Sequence, residues 1–134
     1  MTIEEAIAWI HGRLKFGSRP GLDRVEALLE LLEHPEKKMP VIHIAGTNGK
    51  GSTVSYLQSM IQETGLTVGT FTSPYIESFN ERIAKNGQPI ADAELIALVE
   101  KIQPLVAKLD QDEALAGITE FEVLTAMTFV YFLE

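Results

Sequence analysis

Apolar residues set the first element by their spacing. Ile3, Ile7, Ile10 and Leu14 fall on one face of a 3.6-residue period. Thr2-Ile3-Glu4-Glu5 ahead of them has the form of a capping box. Together they predict a helix through about residue 15. Phe16-Gly17-Ser18-Arg19-Pro20-Gly21 reads as a loop. Val25, Leu28, Leu29 and Leu32 then mark a second helix over 22–33, closed by His34-Pro35 and followed by a solvated connector, Glu36-Lys37-Lys38. At Val41 the pattern changes: Val41, Ile42 and Ile44 form a β-branched run of strand character. A third helix follows a glycine-rich turn, with Val54, Leu57, Ile61 and Met60 inward and Gly65 at its end. Residues 67–72 read as a strand, which makes 41–72 one βαβ unit. Asn86-Gly87 predicts a hairpin turn between 81–85 and 88–90. Asp92 is expected to cap a helix through about residue 110, burying Leu95, Leu98, Val99 and Ile102, with Pro104 expected to kink or divide it. A second capping box, Thr119-Glu120-Phe121-Glu122, opens a helix expected to bury Phe121, Leu124, Thr125, Thr128 and Phe132.

Composition narrows the classes. A chain of 134 residues holds one core and little more. A formal net charge of −8 argues against a general nucleic-acid binder. The absence of cysteine rules out disulfides and cysteine-based nucleophiles or zinc sites, and suits a reducing cytosol. No apolar run approaches the roughly 18–20 residues of a membrane helix. The expectation is a cytoplasmic protein with neither nucleic acid nor membrane as partner.

The chemistry gathers in VIHIAGTNGKGST, residues 41–53. A strand running through glycines and a lysine into a helix is the order a phosphate-binding loop needs. Glycines let backbone N–H groups converge on phosphate oxygens, and the helix N-terminus adds its positive dipole end. Gly46, Thr47, Asn48, Gly49, Gly51 and the helix start form the cradle. Lys50 supplies a point charge to the outer phosphates. Ser52 or Thr53 offers a hydroxyl to phosphate or Mg²⁺. The spacing departs from the common G-x-x-x-x-G-K-[ST]: Ile44 replaces the first glycine and Gly51 separates Lys50 from Ser52. The bland alternative is a glycine-rich turn with a solvated lysine. His43, between two isoleucines, reads as a packed polar side chain. Trp9, Phe16, Phe121 and Phe129 read as core.

Four signatures in order carry a family resemblance: GLDRV at 21–25, HIAGTNGKGS at 43–52, TSPYIESFNERI at 72–83 and ITEFE at 118–122. The chain resembles the N-terminal part of the folylpolyglutamate synthases, including the bifunctional dihydrofolate synthases, of the Mur ligase superfamily. That resemblance implies an α/β, P-loop-containing three-layer domain with a parallel central sheet, like the Mur ligase central domain and incomplete in this chain. Its parts are a helical segment 1–40, the P-loop unit 41–72, a loop and hairpin 73–91 and helices 92–134, without the glutamate-binding C-terminal domain. It implies ATP- and Mg²⁺-dependent ligation of L-glutamate to folate or dihydropteroate through an acyl phosphate, by a monomeric parent. A truncated chain is expected to be inactive alone and prone to self-association. Gly46, Thr47, Asn48, Gly49, Lys50, Gly51, Ser52 and Thr53 would hold ATP, with Lys50 catalytic and Ser73 a Mg²⁺ ligand. Gly17, Ser18, Arg19 and Pro20 with Thr119, Glu120, Phe121 and Glu122 would form the pterin-side pocket. On sequence alone Ser73 is a turn residue before Pro74, Thr119 an N-cap, and the two glutamates acids favoured at a helix start. Two other classes stay open: a nucleotide- or pterin-binding module without catalysis, and a Mur-type peptidoglycan ligase, ranked low because Gly51 stands where those enzymes carry threonine.

Overall fold

The structure is a computed structural model, and it describes residues 1–17, 21–44, 50–73 and 77–134. The chain divides into two compact units. One is made of Met1–Met39 and Asp92–Glu134, the other of Pro40–Ala91.

The first unit is helical. Thr2 and Glu5 close the expected capping box, opening α1 (Ile3–Gly12), which buries Ala6 and Ile10. The helix tightens early, into a 3₁₀ turn over Arg13–Phe16, where the buried Arg13 guanidinium lies 4.5 Å from the Phe16 ring centroid. α2 (Asp23–Leu31) is shorter than its apolar stripe suggests. Glu33 and His34 follow it at φ 64° and 53°, a left-handed stop that His34-Pro35 foreshadows. The connector after it is not simply solvated. Pro35–Lys38 forms a 3₁₀ turn packed on the last helix, with Pro35 buried and His34 Nδ1 3.0 Å from Glu36 Oε2.

α4 (Asp92–Asp110) runs unbroken through Pro104, burying Leu95, Leu98, Val99, Ile102, Val106 and Leu109. Pro104 itself is exposed, so water can solvate the carbonyl its missing N–H leaves behind. α5 (Glu120–Leu133) buries Val123, Leu124, Ala126, Met127, Thr128, Val130 and Tyr131. Those residues span far more than one stripe, and this corrects the predicted inner face. Phe121 is 62% exposed, Thr125 and Phe132 are half-buried, and only Leu124 and Thr128 of the expected set are buried. A helix apolar all round has no unique period to read. The buried Thr128 hydroxyl is satisfied by donating to the Leu124 carbonyl at 2.7 Å.

The second unit corrects the sheet. α3 (Lys50–Gln62) follows the glycine loop as expected, half-burying Val54, Leu57 and Ile61, but Met60 is 65% exposed. The strand predicted at 67–72 is β1 (Gly69–Phe71). It pairs antiparallel with β2 (Ile83–Lys85), with Thr70 opposite Ala84. β2 pairs with β3 (Gln88–Pro89) across Asn86 and Gly87, both at positive φ as a two-residue hairpin turn requires. The described sheet, ordered β1-β2-β3, is therefore antiparallel rather than parallel. Residues 41–44 join no ladder with a described strand: Val41 and Ile42 are 58% and 65% exposed, and His43 is exposed rather than packed. The hairpin occupies one edge of β1, the outer strand of the described sheet, and the earlier run has no neighbour among the described residues. Among those residues no helix is long and apolar enough to cross a membrane.

Candidate active site

In the helical unit, a cleft of about 340 Å³ opens beside the start of α5. Gly17, Gly21, Leu22 and Val25 line one wall, and Thr119, Phe121, Glu122 and Thr125 the other. Gly17 and Gly21 adopt φ 65° and 96°, conformations that favour glycine. Leu22 and Phe121 are 64% and 62% exposed, so each wall presents an apolar surface to solvent. Thr125 donates to the Phe121 carbonyl at 2.8 Å.

Three acids on or before α5 are each met by a base from the N-terminal segment. Glu120 Oε2 lies 2.8 Å from His11 Nδ1. Asp110 receives both ends of the Arg13 fork, at 2.9 and 3.1 Å, while Arg13 Nε donates to the Ile118 carbonyl at 3.0 Å. The guanidinium hydrogen bonds hold the Asp110 carboxyl below the usual aspartate range. Burial opposes that shift, and the Gly117 N–H, donating at 3.1 Å, supports it. Glu122 closes a capping box with Thr119 (Thr119 N–H to Oε1 3.0 Å; Glu122 N–H to Thr119 Oγ1 3.2 Å). It also receives Arg24 Nε on Oε1 at 3.1 Å and Nη2 on Oε2 at 3.3 Å.

The pterin-side residues thus separate. Gly17, Thr119, Phe121 and Glu122 share the cleft, whereas Glu120 does not line it and meets His11. Ser18, Arg19 and Pro20 lie outside the described residues. Arg24, His11 and Arg13 carried no role in the sequence reading. Arg24 had a signal, standing inside GLDRV, but its partner lies 98 positions away.

In the other unit, Gly46, Thr47, Asn48 and Gly49 lie outside the described residues. Lys50 is the first residue of α3, and Gly51, Ser52 and Thr53 are exposed in its first turn. A Cβ on Gly51 would meet nothing within 4 Å. Ser73 is exposed just beyond β1. The residue before it is held from both sides: Thr72 N–H donates to the Arg82 carbonyl at 2.9 Å, and Arg82 Nε to the Thr72 carbonyl at 3.4 Å. Arg82 is buried, its guanidinium 5.7 and 5.6 Å from the Phe71 and Phe79 ring centroids. Asn80 Nδ2 donates to the Ile90 carbonyl at 2.7 Å, and Glu81 Oε1 accepts from the N–H groups of Glu77 and Ser78. Arg82 therefore holds the residue before Ser73, while Asn80 and Glu81 fix the 77–90 segment beside it.

No family model matches the chain. The dihydrofolate synthase/folylpolyglutamate synthase of Bacillus subtilis is 59% identical to it over 131 residues, 98% of this chain and 30% of that protein. The folylpolyglutamate synthetase structure from Lactobacillus casei matches with a TM-score of 0.88 at 39% identity, over 98% of this chain and 33% of that one. A folylpolyglutamate synthase complex with AMPPCP and folate matches at TM-score 0.87 and 38% identity, over 98% of this chain and 32% of that one. These neighbours are enzymes of the Mur ligase superfamily, and the fold is α/β like theirs. Within that superfamily the chain is homologous along nearly its whole length to the folylpolyglutamate/dihydrofolate synthases. It spans about 30% of the length of the curated relatives it matches.

Proposed function

We propose that this chain is part of an ATP-dependent ligase that joins L-glutamate to a folate or dihydropteroate carboxylate in the cytoplasm. The observation that carries the reading is the 59% identity over 98% of the chain to a dihydrofolate/folylpolyglutamate synthase. A carboxylate oxygen of the pteroyl substrate attacks the γ-phosphorus of ATP, and ADP leaves. The α-amine of glutamate then attacks the acyl carbon and phosphate departs. The protein's part is alignment and neutralisation of charge.

Gly46–Thr53 would bind ATP, with Lys50 on its outer phosphates, in the manner of a P-loop in a three-layer domain. The exposure of Gly51, Ser52 and Thr53 in the first turn of α3 agrees with this. A serine exposed next to the Thr72 that Arg82 holds suits a hard cation, so Ser73 would be a Mg²⁺ ligand. The ion, when bound, offsets phosphate charge. The cleft between Leu22 and Phe121 would take the flat pteridine ring, with Thr119 and Glu122 as polar contacts beside Gly17; Ser18, Arg19 and Pro20 would contribute to the same pocket.

The test is glutamate- and folate-dependent ADP release by the intact gene product. Lys50→Ala should lower kcat by roughly 10²–10³, the usual cost of removing one charge-stabilising donor. A folded, intact protein with no folate-dependent turnover would sink the proposal.

A further inference from the structure

Arg24 is one residue from Val25 and two from Leu22, both lining the cleft, yet it does not line the cleft itself. It is 7% exposed and reaches from the first turn of α2 to the first turn of α5. There two of its nitrogens engage both oxygens of Glu122, at 3.1 and 3.3 Å. The side chains of the pair are 9% and 12% exposed. Glu122 simultaneously holds the Thr119 N–H, so a single carboxylate ties the α5 start to α2.

We propose that Arg24 is the positioning residue of this cleft. Its guanidinium fork sets the spacing of the Leu22 and Phe121 walls and fixes the Glu122 carboxylate towards a flat ligand bearing N–H donors. This rests on reading the cleft as the pteroyl-side pocket. Three features support it. The two walls belong to separate helices, and a fork gripping a carboxylate at both oxygens resists sliding and rotation together. The clamp sits one helical position from each wall, because Arg24 precedes Val25 and Glu122 follows Phe121. Oε1 is filled by Arg24 Nε and the Thr119 N–H, but Oε2 takes Arg24 Nη2 alone among the described donors, so Glu122 retains capacity at Oε2 to accept from a ligand while holding Arg24. A lysine at 24 would keep the charge but lose the fork, and at such a site the exchange is not conservative.

The experiment uses the intact gene product and measures the KM for the folate substrate, the KM for ATP, kcat and the thermal midpoint. Arg24→Lys should raise the folate KM about tenfold while kcat at saturating folate and the ATP KM move far less. Glu122→Gln, which keeps the Thr119 bond and the shape, should raise the folate KM by an intermediate factor. It also serves if Arg24→Lys fails to fold. A merely structural role predicts something different: a loss of active protein, seen as lower kcat with both KM values unchanged. That pattern, or an unaltered folate KM in a folded Arg24→Lys enzyme, overturns the clamp alone. A parent enzyme with no folate-dependent turnover overturns the reading of the cleft, and the clamp with it.

Discussion

Asp110 and Tyr131 tie the stability of the helical unit to pH in opposite directions. Asp110 titrates below its usual value when folded, because of the Arg13 fork. Its contribution is complete above the ordinary aspartate range and disappears as pH falls through that range and past the lowered folded value. Urea midpoints between pH 7 and 2 should therefore fall less steeply for Asp110→Asn than for the parent, the curves meeting at the acid end. Parallel curves would refute it. Tyr131 is raised, first by burial and then by the charges of Glu94 and Glu134. Its contribution is complete below the ordinary tyrosine range and is lost as pH rises towards the raised value. Ultraviolet titration should show one late-ionising tyrosine, absent from Tyr131→Phe. Glycines give a paired test. A Cβ at Gly12 or Gly21 meets nothing within 4 Å, so sterics with neighbours do not separate them. Gly12 is helical, and Gly12→Ala should stabilise by about 0.4–1 kcal/mol. Gly21 sits at φ 96°, and Gly21→Ala should destabilise by about 1–2 kcal/mol. Chemical denaturation decides both signs.

Helix starts were the most legible elements. The boxes at Thr2 and Thr119 are local, four-residue statements, and both form. Thr119→Ala should cost about 1 kcal/mol in unfolding free energy and lower helix content at the α5 start. Asn86-Gly87 was legible for the same reason, since a hairpin turn depends on the dihedrals of two residues. What failed was pairing and facing. The run at 41–44 has strand composition, but a strand is defined by a neighbour, and composition does not say which strand, if any, lies beside it; β1 pairs with Ile83–Lys85 instead. The inner face of α5 was misread because nearly every position there is apolar. Leu124→Ala, at a fully buried site, should cost about 2–5 kcal/mol, against almost nothing for Phe121→Ala. The cleft was partly legible. Gly17 and Thr119–Glu122 could be grouped by family signature, whereas the Arg24–Glu122 and Arg13–Asp110 pairs join positions 98 and 97 apart, which no local pattern encodes.

At the scale of the molecule, the two units differ in what holds them. The helical unit has a continuous core from Ala6 to Tyr131. The other unit leaves Val41, Ile42, Tyr56, Met60 and Leu66 each more than half exposed, around a short three-stranded sheet. Native-state hydrogen exchange should find the slowest amides in α4 and α5 and much faster ones in α3, because exchange follows local opening free energy. Equal protection in α3 and α5 would contradict this. The three acid–base pairs, spanning 97 to 109 positions, also have a consequence for synthesis. The N-terminal helices leave the ribosome first, but the partners Asp110, Glu120 and Glu122 are made about a hundred residues after His11, Arg13 and Arg24, a delay on the order of ten seconds. Through that interval the apolar faces of α1 and α2 have no α4 or α5 to cover them. The nascent chain is then at its most dependent on chaperones, and a pause placed before residue 110 would lengthen that exposure more than one placed after residue 122.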